Sequence, residues 1–254
     1  VETDAQLSVE RRDAMVAEAD TFLGEQPYFE WNANISGIVV QLRTNSPHLA
    51  DFFTENWYPS PLESDIEPHG ILYALNWIPG REPKAFYNSD TRTGFLYKSA
   101  YYGQLRSLAL GLVTDLAERI HDVHAVRGVC LEVGGKGVLL MAPPGTGKTR
   151  LMADLLARDD VKLVSPDLVF VRCQGGKALA DTAERKMYIP TRLAERMPSL
   201  EPLFDKSKCE NVVTEREACD RPTCPDSEGC PLERGAPYCY YASKASRSML
   251  DPYW

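Results

Sequence analysis

The chain has 254 residues, a formal net charge of -8, 44% hydrophobic and 25% charged residues, enough length for one large or two small buried cores and an ordinary globular balance. The acidic balance and the lack of a basic run argue against a nucleic-acid binder, whose affinity rests on clustered Lys and Arg. No apolar run reaches the roughly 18 residues of a membrane span, and the opening VETDAQLSVERRDA is acidic rather than signal-like. The expectation is therefore a cytoplasmic protein without nucleic-acid or membrane partners. The absence of an initiator Met and the abrupt ending SMLDPYW suggest residues missing at both ends.

In chain order, apolar positions at helical spacing (Leu7, Met15, Val16, Ala19, Phe22, Leu23) predict a helix over 6–23. ISGIVVQLRT (35–44) reads as a strand, and NSPHLADFFTENW follows as a helix capped by Asn or Ser. GILYALNWI and GFLYKSAYY read as strands separated by the loop PGREPKAFYNSDTRT. Residues 1–100 thus form a small α+β domain, and GQLRSLALGLVTDLAERIH within 101–121 a connecting helix. From 122 to 200, HAVRGVCLEV and GVLLMA predict paired strands around a GGKG turn, then a glycine loop, a helix over 148–157 and the strands KLVS and LVFVR. That order is an α/β nucleotide-binding core. Residues 201–254 form a Cys-rich C-terminal segment.

The core carries APPGTGKT, Ala142 to Thr149, which matches the phosphate-loop pattern except for Ala142 at its first position. Such a loop wraps backbone N–H groups around phosphate at the positive end of a helix. Gly145 and Gly147 allow close approach, Pro143 and Pro144 stiffen the entry, and Thr146 completes the turn. Lys148 supplies a cation for the outer phosphates and Thr149 a hydroxyl for Mg²⁺. Arg150 is a candidate for a substrate phosphate, or an ordinary helix-start residue. An ATP-binding site with Mg²⁺ also needs a carboxylate, and Asp167 arrives one helix and one strand later.

The run GVLLMAPPGTGKTRLMADLLARDDVKLVSPDLVFVR, with the upstream VHAVRGVCLEV, resembles the HPr kinase/phosphorylase family and its distant cousin, ATP-dependent phosphoenolpyruvate carboxykinase. The resemblance covers residues 122–172 and implies an α/β P-loop kinase core. It implies His124 as the family's histidine, in contact with the nucleotide or the transferred phosphoryl group; a structural hydrogen-bonding role is the alternative. The family's acidic pair stands here as Pro166-Asp167, and the glycine-rich phosphorylase signature is absent after Arg172. Asp167 then serves as general base or as Mg²⁺ ligand, with Glu132 or Asp181 as candidates for a second carboxylate.

Arg185, Lys186 and Arg192, close to Pro190, are candidate cations for an anionic substrate, or simply surface charge. Cys130 and Cys173 read as small buried hydrophobes in apolar strands. Cys209, Cys219, Cys224, Cys230 and Cys239 are separated by nine, four, five and eight residues, without a C-x-x-C knuckle. Zn²⁺, an iron–sulfur cluster, disulfides and free thiols all stay open for them.

The function expected from these features is an ATP-dependent kinase acting on a hydroxyl of a small molecule or a protein seryl side chain. The alternatives are a nucleotide-binding regulatory module that senses through its cysteines, and a carboxykinase-type enzyme. A homo-oligomer is left open.

Overall fold

In the computed structural model, residues 2–4, 7–60, 67–224, 226 and 228–251 are described. The chain forms two units: Val1–Val126 with Phe170–Arg185, and Arg127–Val169 with Lys186–Trp254.

The first unit contains β1 (Glu2–Asp4), α1 (Val9–Gly24), β2 (Phe29–Ile35), β3 (Ile38–Thr44), α2 (Pro47–Asn56), β4 (Tyr58–Pro59), β5 (Gly70–Leu75), β6 (Lys84–Asn88), β7 (Thr93–Tyr97), α3 (Tyr102–His121) and β8 (Val123–Arg127). Strands β1 to β7 make one mixed sheet in the order β1-β6-β7-β5-β3-β2-β4. The strand expected over 35–44 contains all of β3, preceded by Ile35 as the last residue of β2 and a turn. Ser36 and Gly37 turn the chain between β2 and β3 with φ of 51° and 86°, the two positive values that a tight two-residue hairpin requires.

Alternation along the central strands gives the sheet two apolar faces. Tyr73, Leu75, Phe95 and Tyr97 cluster with Met15, Ala19 and Leu23 of α1, and the Tyr73 and Phe95 rings stack at 5.2 Å. Each large side chain buried this way contributes about 1.5–3 kcal/mol. The alternate positions meet α3: a Cβ on Gly94 would stand 2.6 Å from Leu72 and 3.3 Å from Leu108. Helix α3, expected as a connector, buries Leu105, Ala109, Leu112, Val113 and Leu116 and packs on β3, β5 and β7, so it is part of this unit's core. Residues 170–185 belong here too, through a sheet of β8 with β12 (Leu168–Gln174) and β13 (Lys177–Thr182), ordered β13-β12-β8. The units therefore do not divide at 100, 122 or 201.

Residues 170–185 also bring in a buried charge. The Arg106 Nε donates to Glu184 Oε1 at 2.6 Å, and Asn56 Nδ2 donates to the same oxygen at 2.8 Å. A carboxylate taken out of water is tolerable only with such partners.

In the second unit, β9 (Val129–Val133) lies between β10 (Lys136–Leu140) and β11 (Val161–Ser165), antiparallel to both. The strand expected over HAVRGVCLEV is broken at Gly128. Helix α4 (Lys148–Leu156) covers β9 and β11, burying Met152 and Ala153 against Val129, Leu131 and Val161. A second sheet, β14 (Met187–Pro190), β16 (Arg247–Leu250) and β15 (Cys209–Glu210), is ordered β14-β16-β15 and adds Met187, Ile189 and Leu250 to that core. Cys130 is buried, as expected, whereas Cys173 is exposed; it sits in the Arg172–Gln174 stretch, where β12 runs into solvent.

Candidate functional site

The phosphate-loop residues sit where β10 ends and α4 begins. Gly145 and Gly147 take φ of 79° and 96°, values that suit residues without a Cβ. Gly147 caps the helix, its carbonyl accepting from Leu151 N at 2.9 Å. The Thr146 hydroxyl donates to Pro143 O at 2.7 Å and closes the loop upon itself. Pro144, Gly145, Thr146, Gly147, Thr149 and Arg150 are all exposed. The first turn of α4 directs its N–H groups and the positive end of the helix dipole outward from this loop. Lys148 folds back, its ammonium donating to the carbonyls of Ala142 and Pro143, the latter at 3.0 Å. Arg150 stands 4.0 Å from Asp154 one turn on, a solvated pair.

The location of Asp167 follows from strand direction. Because β10 and β11 both run antiparallel to β9, they run parallel to each other. Leu139 and Ser165 flank Cys130 from opposite sides. The chain therefore leaves β10 into the loop and β11 toward Asp167 at one end of the sheet, two strand spacings or about 10 Å apart. Gly128, at the start of β9, fills the space between. Its N–H donates to Asp167 O at 2.7 Å, and a Cβ there would stand 2.7 Å from Leu140 O. The Asp167 carboxylate is 40% exposed and lies 3.5 Å from Arg127 Nε. Gly128 was not singled out from the sequence, yet a lone glycine inside an apolar strand pattern is the signal for close backbone approach.

The other expected residues scatter. Glu132 pairs with Gly137 and Lys162 in the far half of β9, roughly 10 Å along the strand from Val129, so it is not at the loop end. His124 is an exposed residue of the first unit, 3.6 Å from Asp122. Asp181 is also in that unit, where it lines a cleft of about 560 Å³ with Arg172, His121 and Tyr58. Arg185 is exposed. Lys186 pairs with Asp251 at 2.8 Å. Arg192 donates to Tyr241 O at 2.7 Å and Ala242 O at 2.9 Å and pairs with Asp220, a structural brace rather than a ready substrate cation.

The five C-terminal cysteines also separate. Cys209 is buried in β15; burial pushes its thiol up, countered by a hydrogen bond with Ser248. Cys219, Cys224, Cys230 and Cys239 line one small cavity.

Among the described residues, no helix is long and apolar enough to cross a membrane. The chain matches no protein-family model and no curated protein.

Proposed function

We propose that the chain is an ATP-dependent kinase of the cytoplasm, with an α/β P-loop core of the HPr kinase type, that transfers the γ-phosphoryl group to a hydroxyl of a small molecule or a protein seryl side chain. The observation that supports this best is the shared sheet end: a loop of phosphate-binding sequence and a carboxylate, with Gly128 as spacer between their strands. The loop N–H groups and the Lys148 ammonium bind the outer phosphates, Lys148 exchanging its carbonyl partners for phosphate oxygens. Asp167 accepts the proton of the attacking hydroxyl as its oxygen bonds to phosphorus and ADP leaves.

The exposed Thr149 hydroxyl and the half-exposed Asp167 carboxylate are hard oxygen donors of the kind Mg²⁺ takes. They are the residues that would hold it. When bound, the ion offsets phosphate charge.

A second reading, a nucleotide-binding module without catalysis, is favoured by one observation: the single carboxylate, beside Pro166, is already engaged by Arg127. Incubation with γ-labelled ATP and Mg²⁺ against pools of alcohols, amino acids and proteins tests both. Label transfer that Lys148→Ala and Asp167→Asn each abolish supports the kinase. Tight ATP binding without transfer to any pool selects the second reading, and absence of ATP binding removes both.

A further inference from the structure

The segment from 211 to 246 has little to hold it together. Among its described residues, regular structure is limited to one short turn of 3-10 helix, Arg216–Ala218, and the isolated bridge Val213↔Cys239. Its buried apolar side chains among the described residues are Val213 and Ala242. Yet its turns are held in register by polar contacts. Asp220 N donates to Ala242 O at 3.0 Å and Lys244 N to Asp220 Oδ2 at 2.8 Å, tying the turn after Cys219 to the turn after Cys239. Arg234 N donates to Cys230 O at 3.2 Å, and its guanidinium pairs with Asp226 and Glu228, both at 2.5 Å, closing the Cys224–Cys230 loop. Each exposed ion pair contributes little on its own. A segment so poor in core usually depends on a crosslink.

What these turns surround is a cavity of about 30 Å³ lined by four of the chain's seven thiols, with Arg216 and Arg221 also in its wall. The N–H groups of Tyr241 and Ala242 donate to the Cys239 sulfur. We propose that Cys219, Cys224, Cys230 and Cys239 hold one Zn²⁺ ion that staples this segment, with Cys209 outside the set.

The size of the cavity selects the occupant. A volume of about 30 Å³ is of the scale of a single ion. Four thiolates are a soft tetrahedral set that suits Zn²⁺. Binding forms four Zn–S bonds and releases the thiol protons to solvent, with no change of oxidation state. Among the described residues, no three His, Cys, Asp or Glu side chains stand at ligating distance of one point. Loading therefore requires the sulfurs to turn inward about their Cα–Cβ bonds, and the chelated segment is tighter than the one described. Arg216 and Arg221 in the wall pair with Glu233 and Glu195, and Asp226 lines the same cavity.

The test is metal analysis of the full chain purified without chelator, followed by anaerobic reduction and loading with Co²⁺. About one Zn²⁺ per chain is expected, with thiolate-to-cobalt absorption of tetrahedral type after exchange. Cys219→Ser, Cys224→Ser, Cys230→Ser and Cys239→Ser each lose most of the metal, whereas Cys209→Ser and Cys173→Ser keep it. Thiol titration of the wild-type chain provides a check that requires no variant: four slow thiols that a chelator makes fast. Iron in proportion to inorganic sulfide, disulfides among these four cysteines by mass spectrometry, or an anaerobically reduced chain that takes neither Zn²⁺ nor Co²⁺ would each overturn the proposal.

Discussion

The Gly128 amide and the Asp167 carbonyl meet at 2.7 Å, and this one hydrogen bond ties the turn that carries the carboxylate to the strand beside the phosphate loop. The glycine is needed on its other side, where a Cβ would stand only 2.7 Å from the Leu140 carbonyl oxygen. Gly128→Ala forces the end of β10 or the Asp167 turn to move. The expected cost is about 1–3 kcal/mol, as for other overpacked sites, together with weaker ATP binding. Gly137→Ala in the same strand, where an added Cβ meets nothing within 4 Å, is the control. Urea unfolding and ATP titration of the pair check this; equal behaviour of the two variants would remove the spacer role.

The buried Arg106–Glu184 pair carries the second prediction. Glu184→Ala leaves Arg106, 11% exposed, without its carboxylate and Asn56 without its acceptor. Removing one partner of a buried pair costs about 3–5 kcal/mol, so chemical denaturation of this variant shifts to markedly lower midpoint. Glu184→Gln, which retains a carbonyl for Asn56, loses less.

His69 makes the first unit acid-sensitive. Its Nδ1 accepts from Val39 N at 2.9 Å, and its backbone N–H donates to Val39 O at 2.9 Å. Burial, with His121 and Arg92 nearby, holds the imidazole below its ordinary value of 6.5. A folded value below the unfolded one means that the unfolded chain binds the proton more readily. The stabilisation is therefore complete above pH 6.5 and is lost as the pH falls through the folded value. Melting temperature should drop on acidification below 6.5, and His69→Asn, whose side-chain oxygen still accepts from Val39, should flatten that drop. An unchanged slope in the variant excludes His69 as the cause.

Arg192 supplies a fourth prediction. Arg192→Ala removes its bonds to Tyr241, Ala242 and Asp220; hydrogen bonds to charged groups are worth about 1.5–3 kcal/mol each when removed from a structured site. Limited proteolysis should cut within 211–246 faster, while ATP affinity stays unchanged. Lost phosphoryl transfer with unchanged cleavage and unchanged ATP affinity would restore Arg192 to the substrate role suggested by its place in the sequence.

Much of the frame was readable from pattern alone because the decisive elements have strong local signals. Helix α3 shows the longest apolar period in the chain, α2 follows Ser46 as its cap with Pro47 in the first turn, and the Gly134–Gly135 turn between β9 and β10 takes the positive φ that glycines permit. What escaped was set by tertiary context. Strand β6 lies inside PGREPKAFYNSDTRT, where Pro, Gly and charge suggested a loop. It is a strand because β7 pairs with it and because Ala85, Phe86 and Asn88 are buried, with Asn88 donating to Leu7 O. For the candidate site, the loop residues were legible as a motif and Asp167 by its distance along the chain. A lone glycine in an apolar strand pattern signals close approach at Gly128, but the two carbonyls that approach it, of Leu140 and Asp167, are set by tertiary structure. The cysteines were conspicuous, but only the cavity separates Cys209 from the other four.

The return of residues 170–185 to the first unit has a consequence for the birth of the protein. Arg106 is made 78 residues before the carboxylate that neutralises it. At roughly 5–20 residues per second, a ribosome needs on the order of 4–16 s to deliver that partner. During that interval α3 has its apolar face ready while its buried guanidinium still needs water, so the first sheet cannot close fully around it. The second unit's central strands and its phosphate loop are translated inside that pause. The nascent chain thus completes its first unit only after the middle of the second has emerged, and a chain interrupted before residue 184 leaves both unfinished.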